Sequence, residues 1–406
     1  MEFSQTLIEN LEKQYGMPLY VFDKPSFCTN YRLLEQTFRT HYGNYRIAYS
    51  FKTNYTPYIV KTVRQLGGLA EVVSGMEYRI AREIGYSPDE ILFNGPDKGI
   101  DGIRAFLEGA IIHADQLEEV NALCFAAESN PEKKFKIGLR VNLDIGQSFV
   151  SRFGMEERDL KEAFKLVART KNLQINGLHC HISRCRSLDA WRLRMEKMLF
   201  LADRFFPKTP EYLDLGSGMY GDMEPELSAQ FDAVPSYQEY AFVTAGLMKE
   251  HYRKIPACQK PVLITEPGTT LVSRYVKLIG KVESIKRIGN KSFATLNCSI
   301  HNLGEVCLYK RLPIQIIPTG IERKEYSNLD FTGYTCLEQD VLYDGYKGKL
   351  GTGDTVVFSN VGGYSTVLKP PFIKPNCAMV ALEENGTFLM IRNSETEESL
   401  MQTYHF

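Results

Sequence analysis

The sequence predicts an α/β protein, a (β/α)8 barrel followed by a C-terminal antiparallel β domain. Three observations carry that prediction. Short apolar runs recur roughly every 20 to 35 residues through the first two thirds of the chain, and most end in Gly, Asn, Asp or His. Segments with helical spacing of apolar residues lie between them. After about residue 270 the texture changes to alternating runs broken by short glycine-containing turns, the pattern of antiparallel hairpins.

In order, the apolar runs are YRIAYSFKTN, GLAEVVSG, EILFNGP, AIIHADQ, KIGLRVN, INGLHCHIS, YLDLGSG and VLITEPG. Helical segments between them include TPYIVKTVRQLG, GMEYRIAREIG and DLKEAFKLVARTKN. The last opens on Asp159 and closes on Lys171-Asn172, as a capped helix should. Eight βα units over about 230 residues is the count for a closed barrel. A doubly wound sheet would carry GxGxxG after its first strand, and none stands there. PLYVFD (18–23) is a further strand that could belong to either domain. KLIGKVESIKRIG, KSFATLNC, LPIQIIP, DTVVFSN and CAMVALEENGTFLMIR supply the later strands. The expected division is a barrel over 25–270 and a β domain from 1–24 and 271–406.

Composition excludes several classes. A formal charge of -1 over 406 residues gives no global reason to expect nucleic acid or an acidic membrane as partner. No apolar run reaches the roughly 18 residues of a membrane span, and MEFSQTLIENLEKQYG lacks the apolar core of a signal peptide. Nine cysteines without paired spacing read as reduced thiols. The expectation is a cytoplasmic protein.

In such barrels the polar residues at the C-terminal ends of strands line the active site. Lys52, Asn94, Arg140, His179, His181, Asp214 and Glu266 all stand at such ends. Lys52 closes an apolar run, where an amine either snorkels to solvent or is held in a pocket to form a Schiff base. Gly216-Ser217-Gly218, followed by Gly221, supplies backbone amides that could cradle a phosphate. Glu266 could hold a pyridine nitrogen protonated, and His181 could stack on a flat ring. His179 and His181 also raise zinc, but no third ligand stands at ligand spacing, so no metal is expected.

Eight blocks in order, YSFKTN, GLAEVVSGMEY, SRFG, HCHIS, DLGSG, EPG, GYTCLEQD and VGGYS, resemble those of fold-type III pyridoxal-phosphate decarboxylases. That group holds diaminopimelate, ornithine and related amino-acid decarboxylases on the alanine-racemase-like barrel. The resemblance runs nearly end to end and implies pyridoxal 5'-phosphate as cofactor. It makes Lys52 the Schiff-base residue, with Glu71 where Asp is usual and Arg152 where Lys is usual. His181 would stack on the ring, Ser217 and Gly218 would line the phosphate turn, and Glu266, with Pro267, Gly268 and Thr269 behind it, would meet the pyridinium. Arg140 and Tyr364 would also reach the cofactor. Cys336 would return a proton to Cα after carbon dioxide leaves. The Cys336 and Asp340 block would come from the second subunit of a homodimer with shared sites.

Departures from the pattern bear on substrate. Diaminopimelate decarboxylases usually carry Arg after EPG, where this chain has Thr269. They carry Arg-Pro-Ala-Leu-Tyr, where it has Glu305-Val306-Cys307-Leu308-Tyr309, and Glu after the cysteine, where it has Leu337. These differences argue against diaminopimelate. Glu305 would suit a distal ammonium, with Tyr309 and Asp340 as further substrate contacts. The bland alternative pairs Glu305 with Lys310 or Arg311. His181-Ile182-Ser183-Arg184 replaces His-Ile-Gly-Ser, so Arg184 is either a substitute phosphate contact or a solvent-facing loop cation. The reading that results is a decarboxylase of an amino acid or amino-acid-derived conjugate. A racemase or epimerase, or a silent regulatory homologue, remains the alternative.

Overall fold

Parallel strands covered by helices on one side and packed inward on the other are buried on both faces, so they read as continuous apolar runs. The computed structural model describes residues 1–405 and packs as two units, 30–221 with 233–270, and 1–29 with 222–232 and 271–406. β1 (Leu19–Asp23) belongs to the second. The first is a closed barrel of eight parallel strands in chain order. They are β2 (Tyr45–Ser50), β3 (Leu69–Val72), β4 (Ile91–Phe93), β5 (Ile111–Ala114), β6 (Phe135–Arg140), β7 (Leu173–His179), β8 (Tyr212–Asp214) and β9 (Val262–Thr265). Tyr45 opposite Leu263 closes the ring. All eight expected runs are its strands.

Ala48, Leu69, Leu92, Tyr212 and Ile264 pack into one core cluster. Two glycines make room for the tyrosine. A Cβ at Gly138 would lie 2.1 Å from the Tyr212 hydroxyl, and one at Gly177 would lie 2.3 Å from its ring. The helix Gly75–Ile84 starts on Ser74, whose side chain accepts the Glu77 amide, and stops at Gly85 with φ 106°. The helix Glu157–Arg169 begins two residues before the expected Asp159 and ends at Thr170. Asp159 sits in its first turn, where the helix dipole favours an acid.

In the second unit β1 pairs antiparallel with β10 (Val276–Ile288) and parallel with β16 (Ala378–Leu382), which settles where PLYVFD belongs. The other strands are β11 (Lys291–Leu296), β12 (Ile314–Ile317), β13 (Ile321–Thr332), β14 (Val341–Thr352), β15 (Thr355–Phe358) and β17 (Phe388–Arg392). β11 and β13 also run parallel, so the sheet is mixed rather than purely antiparallel. The β13–β14 ribbon has no counterpart in the sequence reading, because IERKEYSNLDFT and VLYDGYKGKLGT are polar and largely solvent-facing. Its connection, 333–340, carries Cys336. Residues 222–232, expected within the barrel, join this unit instead. Glu224 takes the Lys277 ammonium at 2.7 Å, and Asp222 accepts the Tyr275 hydroxyl at 3.1 Å. Among the described residues no helix is long and apolar enough to cross a membrane.

Candidate active site

Lys52 occupies the short 3-10 turn Phe51–Thr53 directly after β2. Ser50 stands opposite Glu71 on β3, and this register brings the lysine and the acid together. The ammonium lies 2.6 and 2.5 Å from the two Glu71 oxygens. Glu71 is wholly buried, and burial pushes its carboxyl up while Lys52 opposes that shift. Lys52 keeps 31 % of its side chain exposed, so its amine is both paired and reachable.

Glu266 follows β9 directly and is buried. It accepts the Asn94 amide at 2.6 Å on Oε1, and Nε2 of His179 lies 3.3 Å from Oε2. Burial raises the proton affinity of both Glu266 and Asp214, and the Glu266 charge raises that of Asp214 further. Two carboxylates this deep do not both ionise. Asp214 Oδ1 accepts the Gly216 amide at 2.9 Å, while its buried Oδ2 has no donor, which suits the proton the pair retains. Beside them the rings of His113 and His179 stack 4.7 Å apart at 10°. Burial pushes both imidazoles well below their usual range, so both are neutral. Arg140, at the end of β6, donates to the Asn94 carbonyl at 3.1 Å and pairs with Asp115 at 3.4 Å.

The two histidines of HCH serve different partners. His179 faces Glu266. Nδ1 of His181 accepts the Ser217 amide at 3.2 Å, which leaves the proton on Nε2. Gly216 and Gly218 have φ of 59° and 108°, and a Cβ at Gly216 would lie 2.7 Å from the Cys180 carbonyl. Pro267 accepts the Ser50 amide at 3.5 Å, and a Cβ at Gly268 would lie 2.0 Å from Thr53 Oγ1. Thr269 opens the short helix Thr269–Val272. Arg184 is exposed at φ 65° and makes no hydrogen bond or ion pair among the described residues. The cation buried against this turn is Arg194, which donates to the Leu215 carbonyl at 2.9 Å.

The remaining expected residues lie in the second unit, where three blocks interlock. Asp340 is buried and accepts the Ile300 amide at 2.7 Å and the Thr335 hydroxyl at 2.6 Å, so its carboxylate is committed to holding the Cys336 loop. A Cβ at Gly304 would lie 2.4 Å from the Gly363 carbonyl, which seats the turn before Glu305 against the loop of Tyr364. Tyr364 itself has φ 61°. Cys336, Glu305 and Tyr309 are exposed. Neither cation named as a partner for Glu305 takes it. Lys310 lies over the Phe231 ring at 4.8 Å, and Arg311 pairs with Asp344 at 2.7 Å.

The sequence reading listed neither His113 nor Arg194 among the functional residues, though both left a signal. His113 interrupts the apolar run AIIHADQ. Arg194 falls on the apolar stripe of its helix with Trp191, Met195 and Met198. His113, His179, Asp214 and Glu266 bring their ligand atoms within 4.8 Å of one another, which the spacing of HCH alone did not suggest. His113 and His179 stack there as neutral rings beside the Asp214–Glu266 pair.

A reachable amine over a buried anion, an imidazole beside it and a glycine turn backed by a cation fit pyridoxal phosphate, group by group. Residues 31–273 match the pyridoxal binding domain of the pyridoxal-dependent decarboxylases, and the chain belongs to that family. It is a carboxy-lyase whose cofactor is pyridoxal phosphate. Over 411 residues it is 26% identical to a diaminopimelate decarboxylase of Aquifex aeolicus, covering 97% of this chain and 93% of that one. It is 25% identical over 408 residues to one of Methanothermobacter thermautotrophicus, covering 97% and 92%. The fold is similar to a Helicobacter pylori diaminopimelate decarboxylase complexed with L-lysine, at a TM-score of 0.84, 22% identity and coverage of 97% and 98%. It is also similar to a Vibrio vulnificus lysine/ornithine decarboxylase complexed with putrescine, at 0.74, 20% identity and coverage of 93% and 98%.

Proposed function

We propose that this decarboxylase acts on an amino acid, or an amino-acid-derived conjugate, with a distal cation, and that it works as a homodimer with shared sites. The carrying observation is Glu305, exposed and without an ion pair among the described residues, where the family's diaminopimelate enzymes usually have Arg. The names of the relatives stand against excluding diaminopimelate. At 26% identity or less they leave the far end of the substrate open.

Pyridoxal phosphate, when bound, supplies an electron sink for the pair left on Cα as a carboxylate departs. The chain's own residues do the rest. Lys52 offers the amine that anchors the cofactor, and Glu71 takes up the ammonium whenever that amine is free. Glu266 would meet the ring nitrogen with its negative charge, kept in place by Asn94, His179 and the proton shared with Asp214. His181, fixed through Nδ1, presents its face and its Nε2 proton. Cys336 is the proton donor to Cα, and its exposure in a single chain suits a residue lent to a partner's site.

Carbon dioxide release from a panel of amino acids tests this reading. Substrates ending in an amine or guanidinium should lead, with diaminopimelate behind them. Fastest release from diaminopimelate would overturn the substrate assignment. No release from any compound would overturn the enzymatic reading.

A further inference from the structure

Arg194 is wholly shielded from solvent. Its guanidinium lies 4.5 Å from the Trp191 ring centroid and donates to the carbonyls of Leu215 at 2.9 Å, Ser217 at 3.0 Å and Ile182 at 3.2 Å. Its Nε has no acceptor, and no carboxylate pairs with it among the described residues. An unpaired buried cation is costly, and a guanidinium does not escape by losing its proton. Three carbonyl dipoles offset part of that cost. A full anion is still missing.

Peptide geometry says where the anion belongs. In a planar trans peptide the C=O and the following N–H point in opposite directions. With the carbonyls of Ile182 and Ser217 turned toward Arg194, the amides of Ser183 and Gly218 face the other way. Neither amide has an acceptor among the described residues. Two donors therefore point outward from a turn whose inner side is held by a buried charge. Thr269 brings no cation to this turn, and Arg184 stays in solvent.

We propose that Arg194 is the positioning cation of the cofactor's phosphate. It clamps the carbonyls of Ile182, Leu215 and Ser217 so that the Ser183 and Gly218 amides are presented to a phosphate dianion, and that dianion balances its charge. The inference rests on pyridoxal phosphate being the cofactor.

The test compares pyridoxal phosphate with pyridoxal, which lacks the phosphate, by titrating each into cofactor-free protein. Wild type should prefer the phosphorylated form. Arg194→Met should lower that preference about ten- to a hundred-fold, the range for a lost charge-assisted contact, and leave the dissociation constant for pyridoxal unchanged. Equal weakening toward both ligands would mean that Arg194 only holds the fold, and an unchanged preference would remove it from the phosphate altogether. If Arg194→Met does not fold, Arg194→Gln, which keeps donors for the carbonyls but loses the charge, is read by the 31P titration of the bound phosphate. In wild type the cation should hold its second ionisation below the free value, and in Arg194→Gln that ionisation should move up. An unmoved titration contradicts the proposal. A wild type that binds neither ligand would overturn the cofactor assignment instead.

Discussion

In the barrel unit Glu71, His179, Asp214 and Glu266 are each at most 1% exposed, and a hydrogen bond, an ion pair or a retained proton accounts for each. In the β unit Cys336, Glu305 and Tyr309 stand in solvent on short turns and a hairpin connection. Buried polar groups carry a desolvation cost that only a specific partner offsets, so a cluster of them points to its own ligand. Exposed residues carry no such signature. If their chemistry is completed by another surface, as proposed above, a second copy of the chain would supply it.

The largest effect that could break this contrast comes from mixing two inactive chains. Lys52→Ala and Cys336→Ala should each abolish carbon dioxide release, and together they should recover about a quarter of wild-type activity. Half of randomly paired dimers are hybrids with one intact site. No recovery after verified subunit exchange would mean that each site is built within one chain. Next in size, Glu266→Gln keeps the volume but loses the anion. It should lower kcat by roughly 10²–10³-fold, the usual scale for one electrostatic contact to the reacting system. An unaffected kcat would remove Glu266 from the ring nitrogen.

Glu305→Gln should lower kcat/KM for a cationic substrate by about ten- to a hundred-fold, as expected for a charge-assisted contact. If the ranking of substrates does not move, Glu305 does not read the distal cation. The smallest effect concerns stability. Burial raises the Glu77 carboxyl to about 7, while its Oε2 accepts the Val73 amide at 2.8 Å. An acid whose folded pKa lies above its unfolded value binds more protons when folded, so it costs stability as pH rises from about 4.5 to 7. Glu77→Gln keeps an acceptor for Val73. It should therefore gain on the order of 1–3 kcal/mol at pH 8 in cofactor-free protein, with the gain vanishing below about pH 4.5. Parallel stability curves at both pH values would contradict that assignment.

How legible each part was follows from the same physics. The barrel strands could be read because burial on both faces makes them continuous apolar runs, and the residues after them fall on one rim by construction. β13 and β14 were illegible because a polar ribbon has neither pattern. Arg184 and Arg194 show the limit most clearly. Proximity to HCHIS favoured the first, and only the apolar stripe through Trp191, Met195 and Met198 marks the second as buried. Asp340 was legible as a block but not as a structural clamp, since the Ile300 amide it accepts lies 40 residues away.

Every role proposed for this site depends on Lys52 being the amine that carries the cofactor. Reduction of the purified protein with borohydride, followed by peptide mapping, tests this directly. The pyridoxyl group should be found on the peptide carrying Lys52 and should be absent from Lys52→Ala. A label on any other lysine, or a variant that keeps it, would contradict the site described here.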